Sequence, residues 1–284
     1  MDQTILDNEP TLRLGVFLGV LSAMALWELA VPRRRQEIPR LLRWSNNLAL
    51  VALDTAIMRI AFPVLAVGFA ALSQERGWGL FNLVEVPGWL AFLAAFLLLD
   101  LAIYAQHVVF HKTPVLWRFH RMHHADVDFD TTTGIRFHPI EIVLSMLYKL
   151  ALVGALGAPP AAVLVFEIVL NATSLFNHGN VTLGRLDPLF RKLIVTPDMH
   201  RVHHSVWREE HDTNFGFNFS FWDRLFGTYL AQPAKGHDRM TIGLAHFRER
   251  REQWLDRLLW QPFKGEARLR KEKADSEDPA SLGD

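Results

Sequence analysis

The residues of this chain best suited to chemistry are its histidines. Thirteen occur in 284 residues. None lies in residues 1–106, and eleven fall between His107 and His211. They group as His107/His111, His120/His123/His124, His138, His178, His200/His203/His204 and His211. Residues three or four apart share one face of an α-helix, because the helix turns every 3.6 residues. Four positions span about 6 Å along the axis, so two imidazoles can converge on one ion at about 2 Å. Eight imidazoles packed this way without an ion would leave donors and acceptors poorly paired. The pentads His120-Arg121-Met122-His123-His124 and His200-Arg201-Val202-His203-His204 match at four of five positions, 80 residues apart. That echo predicts two ligand sets and two metal ions. Imidazole ligation suits iron, zinc or copper. A structural zinc site closes with four ligands, whereas pairs and triads fit two adjacent ions acting on a shared small molecule. His138 and His178 are single candidates, His211 is weaker, and His237 and His246 read as ordinary surface residues. With no cysteine in the chain, any metal must be held by His, Asp or Glu.

The elements that must position these rings are also written in the sequence. Thr113-Pro114 and Thr196-Pro197 each place an N-cap residue before a first-turn proline, and Asp198 adds an acidic residue to the second start. Two divalent ions among neutral imidazoles should recruit acidic partners to the ring N–H groups, with Asp100, Asp126, Asp128, Asp198 and Asp212 as candidates. Four stretches are long and apolar enough to be membrane spans: 14–31, 47–72, 87–106 and the double-length 140–177. The last is broken by Gly157-Ala158-Pro159-Pro160, which predicts a hairpin of two short helices. Asp2, Asp7 and Glu9 before the first span, with no small-residue cleavage site after it, argue against a removable signal peptide. Arg33, Arg34, Arg35, Arg40 and Arg43 follow the first span, so that loop is expected in the cytoplasm and the N-terminus outside. His107 and everything after it then face the cytoplasm. Residues 243–263 suit an amphipathic helix in the interface or a soluble surface helix. Residues 264–284 read as a charged, disordered tail.

The expected fold is therefore all-α: a multi-pass helical membrane protein with a cytoplasmic, helical, His-rich metal-binding cap. Its expected parts are N-terminal spans and loops (1–87), an amphipathic segment (231–263) and the tail (264–284), with the histidine-rich stretch between them; the resemblance given below implies that this stretch, 88–230, is the catalytic domain. A soluble protein with buried helices is the competing reading. Half of the residues are hydrophobic, 21% are charged, and 30 basic residues balance 30 acidic ones. Those figures argue against disorder and against a nucleic-acid partner.

Several motifs taken in order carry a resemblance: Asp100…Tyr104…His107-x-x-x-His111, His120-x-x-His123-His124, Phe137-His138-Pro139-x-Glu141, Asn177-His178, Thr196-Pro197-x-x-His200-x-x-His203-His204, Asn214-Phe215-Gly216 and Phe221-Trp222-Asp223-Arg224-Leu225-Phe226-Gly227-Thr228. From about 88 to 230 the chain resembles the fatty acid hydroxylase/sterol desaturase superfamily. The resemblance implies an integral membrane, non-haem di-iron oxygenase. Such an enzyme uses O2 and two external electrons to hydroxylate or desaturate a lipid C–H bond, sterol-like or fatty-acyl. It implies His107, His111, His120, His123, His124, His178, His200, His203 and His204 as ligands, with His138, Asp100, Asp198 and Asn177 as further ligands or supporting groups. Some members carry a second histidine one helical turn after the position of His178. Thr182 stands there in this chain, so water or another histidine such as His138 would complete that ion. No dinucleotide-binding glycine fingerprint and no haem- or flavin-like segment is present, so a separate cytochrome b5-like or ferredoxin-type donor is implied. The membrane would be the inner membrane of a bacterium or the endoplasmic reticulum of a eukaryote.

Two other functions compete with this one. A membrane metal transporter or metal-binding protein without redox chemistry would also use histidine-rich helices, but transporters place ligands along a path within their spans. A zinc hydrolase would need a motif such as His-Glu-x-x-His, which is absent.

Overall fold

The computed structural model describes residues 2–265; residues 266–284, most of the expected tail, lie outside the described residues. The principal helices are α1 (Glu9–Ala30), α2 (Arg40–Ala61), α3 (Ala66–Glu75), α4 (Gly88–Lys112), α5 (Pro114–His124), α6 (Pro139–Leu156), α7 (Pro160–Asn177), α8 (Pro197–His203), α9 (Phe221–Leu225) and α10 (Leu255–Trp260). Among the described residues no sheet forms, and strand pairing is limited to the isolated bridges Ile194–Phe219 and Ser205–Ile242.

Five helical stretches are long and apolar enough to cross a membrane: Glu9–Ala30, Arg40–Leu83, Gly88–Lys112, Pro139–Leu156 and Pro160–Asn177. Their outer faces carry exposed Leu14, Leu26, Leu41, Ile60, Trp89 and Leu93, as a lipid-facing surface requires. The hairpin at 140–177 forms as expected. Gly157 closes α6 in the left-handed conformation (φ 60°), and Pro160 occupies the first turn of α7. Gly79 passes so close to this turn that a Cβ on it would stand 2.1 Å from the Gly157 nitrogen.

Two expectations need correction. The stretch 47–72 lies within one of these spans but is not one continuous helix: α2 ends at Ala61 and α3 starts at Ala66. Phe62 is extended (φ −124°, ψ 102°) because it precedes Pro63, whose ring disfavours a helical residue before it. The segment 243–263 is not an amphipathic helix either. Extended backbone at Glu249 and Trp254 divides it into a 3-10 turn (Arg250–Gln253), α10 and a second 3-10 turn (Gln261–Phe263). Leu258 within it packs against Leu50 and Met122.

The membrane core joins α3, α4, α6 and α7 through Ala66, Ala70, Ala95, Leu99, Val153, Ala162 and Phe166. Small residues dominate it, so the backbones approach closely, the packing that serves where lipid is as apolar as the core. Above it, α5, α8 and the 125–138 loop make a polar cap. Arg43, fully buried, binds Asp126 through both carboxylate oxygens (2.8 and 2.7 Å) and also binds Asp130. Asp128 accepts the backbone N–H groups of Glu37 and Ile38 at 2.7–3.0 Å. Arg33 binds Asp238, and Arg34 binds the carbonyls of His237 and Met240. The arginine-rich loop after α1 is thus bolted to the cap.

Candidate metal centre

Four helices deliver the nine expected histidines to one buried place. His107 and His111 are at the end of α4. His120, His123 and His124 lie on α5, and His178 caps the end of α7. His200 and His203 lie on α8, with His204 as its C-cap. The Thr196 hydroxyl caps α8 by accepting from the Met199 N–H (3.3 Å), whereas Thr113 makes no side-chain cap. All nine are at most 6% exposed. They form two clusters whose nitrogen atoms lie within 4.8 Å of one another: His107, His111, His120, His124 and His203, and His123, His178, His200 and His204. The clusters are not the two pentads. Neighbouring residues on a helix point about 100° apart, so His123 and His124 turn to different clusters, and so do His203 and His204. Each short helix serves both.

Proton accounting shows what such clusters require. The Nδ1 of His107 meets the Phe215 carbonyl at 2.8 Å, and that of His120 meets Glu141 Oε1 at 2.7 Å. These oxygens can only accept, so each Nδ1 carries the proton and each Nε2 bears a lone pair. Those two Nε2 atoms stand 3.1 Å apart. The second cluster repeats the pattern. His178 Nδ1 donates to the Ser174 carbonyl (2.8 Å), His123 Nδ1 to the Arg136 carbonyl (3.3 Å), and their Nε2 atoms are again 3.1 Å apart. His111 and His124, and His178 and His200, also face each other Nε2 to Nε2 at 3.1 Å. His203 gives its Nδ1 proton to the Thr213 carbonyl (2.7 Å), leaving a buried Nε2 without a partner. In the His107–His120 and His123–His178 pairs, where both Nδ1 atoms carry the proton, two lone pairs face each other and repel unless positive charge lies between them. Protonation does not supply it, because burial pulls His123, His124, His200, His203 and His204 well below the ordinary imidazole value. Two nitrogens 3.1 Å apart suit a shared ion about 2.1 Å from each. The donor set therefore fits one metal ion per cluster.

The supporting contacts differ from most of those expected. Of the acidic candidates, Asp212 reaches a ring, lying 3.4 Å from His111 Nδ1. Asp126 and Asp128 serve Arg43 and the arginine-rich loop, as described above. Asp100 accepts from Trp222 Nε1 (2.8 Å), and Asn177 donates to the Phe217 carbonyl (3.0 Å). Asp198 binds Arg201 and accepts from the Thr182 hydroxyl (2.8 Å), so neither it nor Thr182 belongs to a cluster. His138 also stands outside. Its Nδ1 caps α6 by accepting from the Ile140 N–H (3.1 Å), and its Nε2 is 3.3 Å from the Leu259 carbonyl. His211 stacks on Trp117 beside the first cluster, and His237 is 7% exposed rather than a surface residue.

The sequence reading singled out neither Glu141 nor the loop carbonyls as partners of the rings. Glu141 lies three residues after His138 in a quoted motif, which was the available signal. Asp223 has a similar positioning role. Its carboxylate accepts from the Phe215 and Gly216 N–H groups (2.7 and 2.9 Å), fixing the carbonyl that orients His107. Burial raises this carboxyl to about 6. Gly134 must lack a side chain, since a Cβ there would meet the Ser174 carbonyl at 2.4 Å and His178 Nδ1 at 3.0 Å.

Below the first cluster lies a cavity of about 820 Å³, with His107 and His120 in its wall. Its remaining lining is mostly apolar, including Phe110, Ile135, Phe137, Met146 and Phe217. The cavity runs between α1, which packs on α7, and α2, which packs on α6.

The fatty acid hydroxylase family model matches residues 92–228. Ornithine lipid hydroxylase OlsE of Rhizobium tropici is 31% identical over 232 residues, covering 77% of this chain and 67% of that protein. The chain belongs to the fatty acid hydroxylase/sterol desaturase superfamily. Other relatives of this hydroxylase-family chain include alkylglycerol monooxygenase of Homo sapiens, 30% identical over 174 residues (60% of this chain, 36% of that protein). Very-long-chain aldehyde decarbonylase GL1-1 of Oryza sativa subsp. japonica is 28% identical over 217 residues (73% and 32%). The chain thus spans two thirds of the first relative and about one third of the other two. No solved structure matches it significantly. Membership places it among oxidative, lipid-modifying membrane enzymes, and the family match contains all nine clustered histidines.

Proposed function

We propose that this protein is an O2-dependent membrane oxygenase that hydroxylates or desaturates a C–H bond of a lipid, using two irons held by the nine clustered histidines. The observation that carries this reading is the set of facing Nε2 lone pairs at 3.1 Å, at the head of a largely apolar cavity. When bound, a pair of irons supplies the reduction of O2 and the oxidising power that removes hydrogen from carbon. The protein's own residues do the rest. His107, His111, His120, His124 and His203 hold one ion, and His123, His178, His200 and His204 the other. Glu141 and the carbonyls of Phe215, Arg136, Ser174 and Thr213 accept the Nδ1 protons of His120, His107, His123, His178 and His203, fixing those rings and keeping their Nε2 atoms free of the proton. Phe110, Phe137 and Met146 exclude water and guide a lipid chain past His107 and His120.

The 820 Å³ cavity lies within the usual range for small-molecule sites, about 300–1,000 Å³. The lipid enters sideways between α1 and α2, which scarcely touch one another. The arginine-rich loop, held to the cap, is the charge that would keep both on the cytoplasmic side under the positive-inside rule. A cytochrome b5-like or ferredoxin-type donor then delivers electrons from the cytoplasm. The names of the relatives favour an amino-acid-bearing lipid or a glycerol ether as substrate. Metal analysis of purified protein with O2 uptake tests the reading. The expected result is two irons per chain and lipid-dependent O2 consumption. One zinc per chain, or metal flux in proteoliposomes without O2 consumption, would overturn it.

A further inference from the structure

The cavity wall carries four carboxylates, and two of them are paired with cationic side chains. Glu167 is bridged by Arg13 and Lys149 at 2.5 Å each, and Glu9 is bound by Arg13 at 2.8 Å. These contacts commit both cations. The other two carboxylates, Asp54 on α2 and Glu141 on α6, lie toward the histidine end. Glu141 uses Oε1 on His120, and its Oε2 is buried without a partner. Asp54 is 8% exposed, and among the described residues it makes neither a hydrogen bond nor an ion pair; its Oδ1 is buried and unpartnered. The charge acting on Asp54 is that of Glu141. The remaining cation of the cavity wall, Arg59, is exposed, lies five residues further along α2 and makes no ion pair with Asp54.

Two carboxyl groups thus face one largely apolar cavity, each with an unused oxygen. A buried carboxyl without a partner is strongly disfavoured as a charge, so the pair ionises fully only when a cationic partner is brought in from outside. A hydroxyl offers one donor and no charge. A primary ammonium offers three N–H donors and a positive charge, which answers both carboxylates together. We propose that Asp54 and the free Oε2 of Glu141 form a recognition subsite for a cationic amino group on the lipid substrate. Because Glu141 touches His120, an amino group held there presents nearby carbons, not the chain terminus, to the histidine clusters. This deepens the oxygenase reading and rests on it for the identity of the bound lipid as substrate.

The test uses the full chain in phosphatidylcholine nanodiscs, with tritiated hexadecylamine displaced by unlabelled hexadecylamine, 1-hexadecanol or hexadecane and partitioning into empty nanodiscs subtracted. The wild-type protein should prefer hexadecylamine to 1-hexadecanol by about tenfold or more, the scale of a charge-assisted over a neutral contact. Asp54→Asn, which keeps the volume and removes the charge, should reduce that preference to within about twofold, and Asp54→Glu should retain it. Equal affinity for amine and alcohol in the wild type, or an amine preference that survives Asp54→Asn, would overturn the subsite. The wild-type comparison decides this even if the variants do not fold. Binding needs no turnover, so a wild-type protein that oxidises lipid yet shows no preference for the amine refutes the subsite alone. Absence of O2 consumption with any lipid refutes the oxygenase reading alone.

Discussion

Replacing Glu141 separates a ligand's own bond to metal from the contact that aims it. The carboxylate accepts the Nδ1 proton of His120 at 2.7 Å, and both groups are buried. In Glu141→Leu that N–H keeps no acceptor, and an unsatisfied buried donor costs about 1–3 kcal/mol. The ring can regain a partner by rotating, but rotation takes Nε2 out of its cluster. Either way the loss falls on metal binding, by about 10- to 100-fold, the usual effect of removing a ligand's orienting partner. At tenfold per 1.4 kcal/mol this corresponds to about 1.4–2.8 kcal/mol, in agreement with the cost of the orphaned donor. Glu141→Gln keeps an acceptor and loses the charge, so it should fall between wild type and Glu141→Leu. The assay is metal content per chain after dialysis against graded chelator, with circular dichroism as the control for helix content. The chelator concentration for half-loss should drop in the order wild type, Gln, Leu. A Leu variant that retains metal as firmly as the wild type would refute the argument that this carboxylate aims the ring.

Three further outcomes are expected. His123→Ala and His203→Ala, one from each cluster, should each lower lipid oxidation at least about 100-fold while membrane insertion is unchanged; retained turnover in both would remove them from the ligand set. Gly134→Ala should destabilise the protein by about 1–3 kcal/mol and weaken metal retention, because its methyl drives into the Ser174 carbonyl and His178; a thermal melt and metal analysis check both. Burial pulls His237 down to about 4 from an ordinary value near 6.5, so the unfolded chain binds its proton more readily. Its contribution is complete above about pH 6.5 and is lost as pH falls toward 4. The melting temperature should therefore drop between pH 7 and pH 5, and less so in His237→Gln; identical slopes for the two proteins would count against this assignment.

The features legible in the sequence are those set by local rules. Proline and glycine placed the 140–177 hairpin, and the 3.6-residue period placed the rings of α5 and α8 on usable faces. The family resemblance rested on the same motifs. What escaped depended on contacts between distant segments. The sorting of His123 from His124 depends on where α4, α7 and α8 lie around α5, and spacing within a pentad does not specify that. Asp126 and Asp128 looked available for the metal because their partners, Arg43 and the amides of Glu37 and Ile38, lie more than 80 residues earlier in the chain. His138 carried metal-ligand chemistry in type, but its place before Pro139 made it a helix cap. The break at Pro63 was a local signal, and hydropathy averaged over it.

Because α5 and α8 each send rings to both clusters, two ions held there would share a pair of struts. Withdrawing either ion frees a face of each strut and loosens the grip on the other, so loading and loss should occur in one concerted step. The same arrangement would keep chains carrying a single iron scarce. Such half-loaded chains could start oxygen reduction with no second metal to share the electrons, and the threading of the helices disfavours that state without any separate safeguard.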